Sequence, residues 1–98
     1  MAVSGCGPAY IYLTIRALAN GGENCGLSKE TALLLAEQTV LGAAKLAIES
    51  GKDPKQLETD VCSPGGATIE GIYVLENEKV PDAFASAVKA AYDKAKKL

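Results

Sequence analysis

The segment from about Lys29 to Ser50 constrains the fold of this chain more than any other. Ser28 is a favourable N-cap residue and Gly51 a favourable helix stop, which predicts one long helix between them. At about 100° per residue, its small side chains fall on one stripe, and large aliphatic side chains flank and face that stripe. A helix that is apolar over most of its circumference is buried on more than one side. The polar strip is narrow and comprises Gln38, Lys45 and Glu49.

A partner subunit is the simplest cover for such a helix, because a chain of 98 residues has room for only one modest core. Gly42 points the same way. A glycine inside a helix costs about 1 kcal/mol relative to alanine, which suggests that another backbone passes close by. We therefore expect a homodimer or a higher oligomer, with a symmetric dimer as the simplest form. The alternative is a compact monomeric bundle with this helix at its centre.

The first predicted helix runs from about Pro8 to Asn20. Proline suits the first position of a helix, and Gly21-Gly22 is predicted to end it. The β-branched residues Ile11 and Ile15 would also suit a buried strand, which leaves a strand open as an alternative for the first half of the segment.

Proline also marks the helices in the second half of the chain. A short helix begins at Asp53-Pro54, another covers about Gly66 to Asn77, and Val80-Pro81-Asp82 begins the last. No segment alternates apolar and polar residues as a half-buried strand does. We therefore predict an all-α fold, a helical bundle that forms a single domain over residues 1–98.

Composition excludes several classes of partner and site. With 12 acidic and 10 basic residues the net charge is −2, so neither nucleic acid nor a membrane is an expected partner. No apolar run approaches the roughly 20 residues that span a bilayer, and no signal peptide is visible. Cys6, Cys25 and Cys62 are odd in number and lack metal-ligand spacing, which argues against a disulfide framework and a zinc site. They favour a reducing compartment, and we expect a cytoplasmic protein.

Dinucleotide and metal sites are not predicted in this chain. Histidine is absent, which removes the commonest general base and most transition-metal sites. Gly5-Cys6-Gly7 resembles the beginning of a GxGxxG fingerprint, but Tyr10 occupies the third glycine position and no strand precedes it. Pro8 also removes an N–H from the helix start that would meet a pyrophosphate. We expect no cofactor-binding residues and no metal ligands.

The strongest candidate site is the sequence VCSPGGATIEGI at residues 61–72. A residue before proline is driven towards an extended backbone, which an N-cap needs. Ser63 is therefore predicted to be the N-cap of a helix, and Pro64 its first residue.

Two glycines follow, and they leave the backbone N–H groups of the predicted first turn unscreened. The amides of residues 65 to 68 are expected to point outward with the positive end of the helix dipole behind them. Such a helix start suits a carboxylate or a phosphate, and Thr68 would add a hydroxyl. The alternative is an ordinary capped helix whose first amides bond water.

Titratable residues flank this segment without pointing to a role. Cys62 precedes the predicted helix, where a thiolate would be stabilised, but no histidine is present to activate it, so packing is the expected role. Glu58, Asp60 and Glu70 could act as acids or bases, although their spacing does not separate them from ordinary solvated charges.

Four motifs in order resemble the Δ1-pyrroline-5-carboxylate reductase family. Residues 4–10 are similar to its SGSGPAY, with Cys6 in place of the second serine, and residues 17–22 to its ALADAG. Residues 39–45 read TVLGAAK as in that family. Residues 63–69 resemble its SPGGTT segment in the SPGGAT form.

The resemblance covers nearly the whole chain but only the C-terminal part of that family. Family members have an N-terminal Rossmann domain that holds NAD(P)H and a C-terminal helical domain that interlocks with a second copy. The resemblance therefore implies a C-terminal dimerisation and substrate-binding domain, with the Rossmann domain absent from this chain. NADPH or NADH would be the cofactor of the full-length enzyme, and this chain would bind none.

The resemblance also implies roles for the SPGG segment. Its substrate-binding residues would be Ser63, Gly65, Gly66, Ala67 and Thr68. Ser63 and the backbone amides of Gly66, Ala67 and Thr68 would hold the carboxylate of pyrroline-5-carboxylate. The Thr68 hydroxyl would face the ring nitrogen as the catalytic group.

The implied activity is the NAD(P)H-dependent reduction of 1-pyrroline-5-carboxylate to L-proline, the last step of proline biosynthesis. The 98-residue chain by itself is expected to be inactive, because it lacks the means to bind the nicotinamide. The alternative is a standalone helical oligomerisation module with a vestigial anion site and no catalysis.

Overall fold

The computed structural model describes residues 1–97, and every regular element in this part of the chain is a helix. The all-α prediction is confirmed. One compact unit, residues 7–51, contains α1 and α2, and the other contains residues 1–6 and the chain from Lys52 onward with α3 to α5. The elements in order are α1 (Gly7–Asn24), α2 (Lys29–Ser50), α3 (Pro54–Val61), α4 (Ala67–Asn77) and α5 (Val80–Lys96).

Alanines form the contact between α1 and α2. Ala19 of α1 and both Ala32 and Ala36 of α2 are buried against each other. Small side chains allow two helix backbones to approach closely. The stripe of small residues predicted on α2 therefore faces α1 at Ala32 and Ala36, whereas Thr39 and Ala43 of the same stripe are exposed.

The whole segment Gly7–Asn24 forms a helix, so the strand alternative for the first half of α1 is wrong. Helix α1 also runs past the predicted end at Asn20, through Gly21-Gly22, to Asn24. The glycine that adopts a positive φ after the end of α1 is Gly26, at 107°. Gly22 has a different function, because an added Cβ would lie 3.2 Å from the Ala32 Cβ. The missing side chain permits the packing of α2 and does not end the helix.

Helix α2 has the bounds that its capping residues predict. Ser28 has an extended backbone, with φ −65° and ψ 155°, and its hydroxyl oxygen accepts a hydrogen bond from the Thr31 N–H at 3.2 Å. Gly51 adopts the left-handed conformation with φ 67° and ends the helix. Both ends therefore follow from local backbone chemistry.

By length and composition, α2 is also apolar enough to cross a membrane, a test that the core helix of a soluble protein passes too. The sequence itself contains no uninterrupted apolar run of this length, because Glu37 and Lys45 divide the helix into shorter apolar runs. The feature is weak support for a membrane segment, and the expectation of no membrane partner stays a prediction.

The second unit begins its helices at the predicted prolines. The Asp53 carboxylate accepts a hydrogen bond from the Lys55 N–H at 3.3 Å and caps α3, which starts at Pro54. Helix α5 packs against α4 and carries an apolar stripe at three- and four-residue steps. The half-buried members of that stripe are Ala87, Val88, Ala91 and Ala95.

Candidate functional site

A tight turn over Ser63 to Gly66 joins α3 to α4. The Gly66 N–H donates to the Ser63 carbonyl at 2.9 Å, and Gly65 has φ 72°. A proline in the second position, a positive φ in the third and a hydrogen bond from the fourth residue to the first are the features of a type II β-turn. The proline and the two glycines therefore build a turn that precedes the helix.

This turn corrects the prediction of Ser63 and Pro64 as the start of α4, whereas the predicted extent of about Gly66 to Asn77 agrees with the observed Ala67–Asn77. Ser63 and Pro64 do not begin the helix, because α4 starts at Ala67 and its N-cap is Gly66, with φ −87° and ψ 172°. The fixed φ of proline suits the second position of a turn as well as the first position of a helix. The local sequence is compatible with both arrangements, and the structure adopts the turn.

The backbone N–H groups that can meet an anion belong to the first residues of α4. Gly66 uses its own N–H in the turn, in contrast to the outward-pointing amide predicted for it. The N–H groups of Ala67, Thr68 and Ile69 have no partner earlier in the helix, and no side chain caps them. Since the positive end of the helix dipole lies here, the geometry suits a carboxylate or a phosphate.

The Thr68 hydroxyl is exposed and makes no hydrogen bond to any other part of residues 1–97. Three other threonines, Thr14, Thr39 and Thr59, donate to the carbonyl four residues earlier at 2.9, 2.7 and 3.0 Å. Thr68 is the second residue of α4, and the carbonyl four residues earlier belongs to Pro64 in the turn. Its hydroxyl is therefore left for a ligand or for water.

The carboxylates of Glu58 and Asp60 on α3 form surface ion pairs. Glu58 lies 3.4 Å from the Lys55 ammonium, and Asp60 lies 3.5 Å from that of Lys52. Exposed pairs of this kind contribute little to stability. Their pairing matches the interpretation as ordinary solvated charges. The Cys62 thiol is free and half-buried.

A groove between α3 and α4 is a feature that the sequence analysis missed. Its volume is about 340 Å³, and Cys62 and Thr59 contribute to its α3 side. The α4 side has the spacing of one helix face, a signal that could have revealed the groove. The residues with that spacing are Ile69, Ile72, Tyr73 and Glu76.

The second functional feature is the apolar surface of α2. Five large aliphatic side chains on this helix are more than half exposed, among them Leu41 at 60 % and Ile48 at 81 %, whereas the buried residues of 1–97 are three alanines. Gly42 lies between them, and within residues 1–97 an added Cβ would meet no atom within 4 Å beyond its own stretch of helix. The close backbone approach predicted at Gly42 is therefore not made by any other segment of residues 1–97. Apolar faces of this extent mark interaction surfaces.

The family comparison gives these two features a common context. All of residues 1–98 match the family model described as pyrroline-5-carboxylate reductase dimerisation. The chain belongs to the pyrroline-5-carboxylate reductase dimerisation family. This confirms the resemblance seen in the four motifs. It also supports homo-oligomerisation.

Relatives of known name extend the match. A pyrroline-5-carboxylate reductase from Pisum sativum is 53 % identical over 96 residues, which are 98 % of this chain and 35 % of the relative. The structure of such a reductase from Coxiella burnetii matches with TM-score 0.94 and 50 % identity, over 98 % of this chain and 36 % of that one. A Plasmodium falciparum pyrroline carboxylate reductase crystallised with NADP bound matches with TM-score 0.94 and 41 % identity, over 98 % and 39 % of the two chains. The chain thus spans about a third of the length of the curated relatives it matches.

Proposed function

We propose that this chain is the dimerisation and substrate-binding domain of a pyrroline-5-carboxylate reductase. The reaction would be the NAD(P)H-dependent reduction of 1-pyrroline-5-carboxylate to L-proline, the last step of proline biosynthesis. The main support is the family match over residues 1–98 together with the SPGGAT segment at the start of α4. The free cysteines fit a cytoplasmic location, which is part of the proposal.

The substrate carboxylate would bind at the N-terminus of α4. Ala67 and Thr68 are exposed residues whose N–H groups have no partner in the helix, and Ser63 is an exposed residue of the preceding turn. Gly65 and Gly66 shape that turn. Amides at a helix start attract an anion because their N–H dipoles and the helix dipole act together.

The Thr68 hydroxyl would act at the ring nitrogen of the bound imine. It has no hydrogen bond within residues 1–97 to break before it meets the substrate. Holding a planar C=N bond in one orientation and favouring its protonated form would supply much of the rate by positioning and electrostatics. Neither task requires a histidine.

The described residues do not fit a dinucleotide. At the glycine-rich start of α1, the Gly5 and Cys6 N–H groups both donate to the Met1 carbonyl, at 2.8 and 3.1 Å. Pro8 has no N–H to offer. We therefore propose that NADPH or NADH binds to residues outside this chain, and we assign the chain only the binding and orientation of the imine.

The test is turnover of 1-pyrroline-5-carboxylate by the natural-length protein that contains these residues. The loss of reduced-nicotinamide absorbance measures that turnover. We expect turnover by that protein, and none by the 98-residue chain, which should still bind L-proline weakly. Failure of both turnover and L-proline binding would exclude the proposal. That outcome would favour a helical oligomerisation module with a vestigial anion site.

A further inference from the structure

We propose that Gly65 is a positioning residue for the substrate carboxylate, acting through the backbone of the turn that precedes α4. The inference rests on the proposed function and adds how the geometry of that site is set. Gly65 has φ 72°, and the turn it completes directs the Gly66 N–H to the Ser63 carbonyl at 2.9 Å. The turn thereby withholds the Gly66 amide and leaves the Ala67 and Thr68 amides as the donors that an anion meets.

The positive φ decides which way the peptide between Pro64 and Gly65 faces. Type I and type II turns share their ends but differ in this central peptide, whose N–H and carbonyl exchange sides between them. An L-residue in the third position favours type I, since φ near −90° is allowed and φ near +80° is strained. A non-glycine residue at position 65 would therefore favour a reversed peptide dipole next to the first turn of α4. The reversed dipole would change the electrostatic potential at the proposed anion site and so the affinity for the carboxylate.

The surroundings of Gly65 isolate this backbone effect. Apart from its two chain neighbours, no atom of residues 1–97 would lie within 4 Å of a Cβ added to Gly65, so a substitution there changes φ preference without a steric clash. Gly66 is different, because an added Cβ would lie 3.1 Å from the Ser63 carbonyl oxygen and 3.4 Å from the Ser63 Cβ. At Gly66 the turn leaves no room for a side chain. At Gly65 there is room for one, and the positive φ of this residue determines the turn type.

Gly51 provides a matched control. It has φ 67°, close to that of Gly65, and a Cβ added there also meets nothing within 4 Å. It ends α2 in the other compact unit. A Gly51→Ala change therefore places the same backbone strain outside the proposed site.

The experiment compares Gly65→Ala, Gly65→Asn and Gly51→Ala in the natural-length protein by steady-state reduction of 1-pyrroline-5-carboxylate. We expect Gly65→Ala to raise KM about tenfold, because the binding-competent turn becomes a minor population. The effect on kcat should be much smaller, because binding of the carboxylate stabilises the bound substrate and the transition state to the same extent. Gly65→Asn should give an intermediate KM, as asparagine adopts a positive φ more readily than alanine. Gly51→Ala should leave KM as in the unsubstituted protein.

Three results would overturn the inference. An unchanged KM in Gly65→Ala would mean that the turn does not set the carboxylate site. An equal rise in Gly51→Ala would mean that strain acts on the fold in general. A Gly65→Asn variant no better than Gly65→Ala would exclude backbone conformation as the cause. Absence of turnover in the unsubstituted protein would instead refute the proposed function, so the two failures are distinct.

Discussion

Gly22 of α1 and Ala32 of α2 meet so closely that a Cβ on Gly22 would lie 3.2 Å from the Ala32 Cβ. Ala32 is 3 % exposed, and its Cβ is fixed to the helix backbone, so it cannot swing away as a long side chain would. This contact joins the two helices at their small residues. It also decides the function of a glycine pair that the sequence alone assigns to a helix end.

Replacing Gly22 by alanine should destabilise the fold, whereas the same change at Gly21 should not. Overpacking typically costs about 1–3 kcal/mol, and against a Cβ that cannot move aside we expect the cost to exceed the roughly 1 kcal/mol that alanine gains over glycine inside a helix. Among residues 1–97, a Cβ on Gly21 meets no atom within 4 Å beyond its own stretch of helix, so only the helix gain applies there. Urea unfolding of both variants at one protein concentration measures the difference. Equal effects of the two substitutions would contradict the close contact.

The Ser28 cap of α2 should be measurable by itself. Its hydroxyl oxygen accepts from the Thr31 N–H at 3.2 Å, and Ser28→Ala removes that acceptor. We expect a loss of about 1 kcal/mol of unfolding free energy, against a few tenths for Ser28→Gly. The same denaturant titration checks both. An alanine variant as stable as the unsubstituted chain would show that the cap contributes nothing.

Association through α2 should depend on its exposed leucines. Leu41 is 60 % exposed, and a Leu41→Glu change would place a charge on the apolar face, where burial against a partner is costly. We expect the unsubstituted chain to sediment at twice the mass of one chain or more. The Leu41→Glu variant should associate more weakly and remain monomeric up to a much higher protein concentration. Lys45→Glu, on the polar strip of the same helix, is the control and should associate normally. A chain that is monomeric at micromolar concentration would rule out this surface as the interface.

The Thr68 hydroxyl should affect kcat in the natural-length protein. Thr68→Val keeps the shape and the backbone amide but removes the hydroxyl, and we expect kcat to fall about a hundredfold. Thr68→Ser should retain most of the activity. Thr39→Val is a control, because that hydroxyl donates to the Leu35 carbonyl at 2.7 Å inside α2. Full activity in Thr68→Val would remove the hydroxyl from the proposed mechanism.

Prediction from sequence succeeded where one residue and its neighbours decide the structure. The bounds of α2 follow from Ser28 and Gly51, because an N-cap hydroxyl and a left-handed glycine act within one turn of helix. The start of α3 at Pro54 follows in the same way. The apolar circumference of α2 also predicted a partner, in agreement with the dimerisation family to which the chain belongs.

Prediction failed where two local solutions have similar energies. Pro64 fits a helix start and a turn equally well, and the structure selects the turn with Gly65 at φ 72°. As a result, the Gly66 amide is engaged by the Ser63 carbonyl. The site residues Ser63, Gly65, Gly66, Ala67 and Thr68 stay a prediction, now with a defined backbone geometry.

The sequence by itself determined the helical class, the capped ends of α2 and the family, since all three are written in short-range patterns of residue type. Only the tertiary structure decided that Gly22 serves packing, because the neighbour that makes this necessary, Ala32, comes from another helix. It also decided which amides of the SPGGAT segment are free. That choice depends on how α3 and α4 are joined across the turn, which no residue in the segment specifies alone.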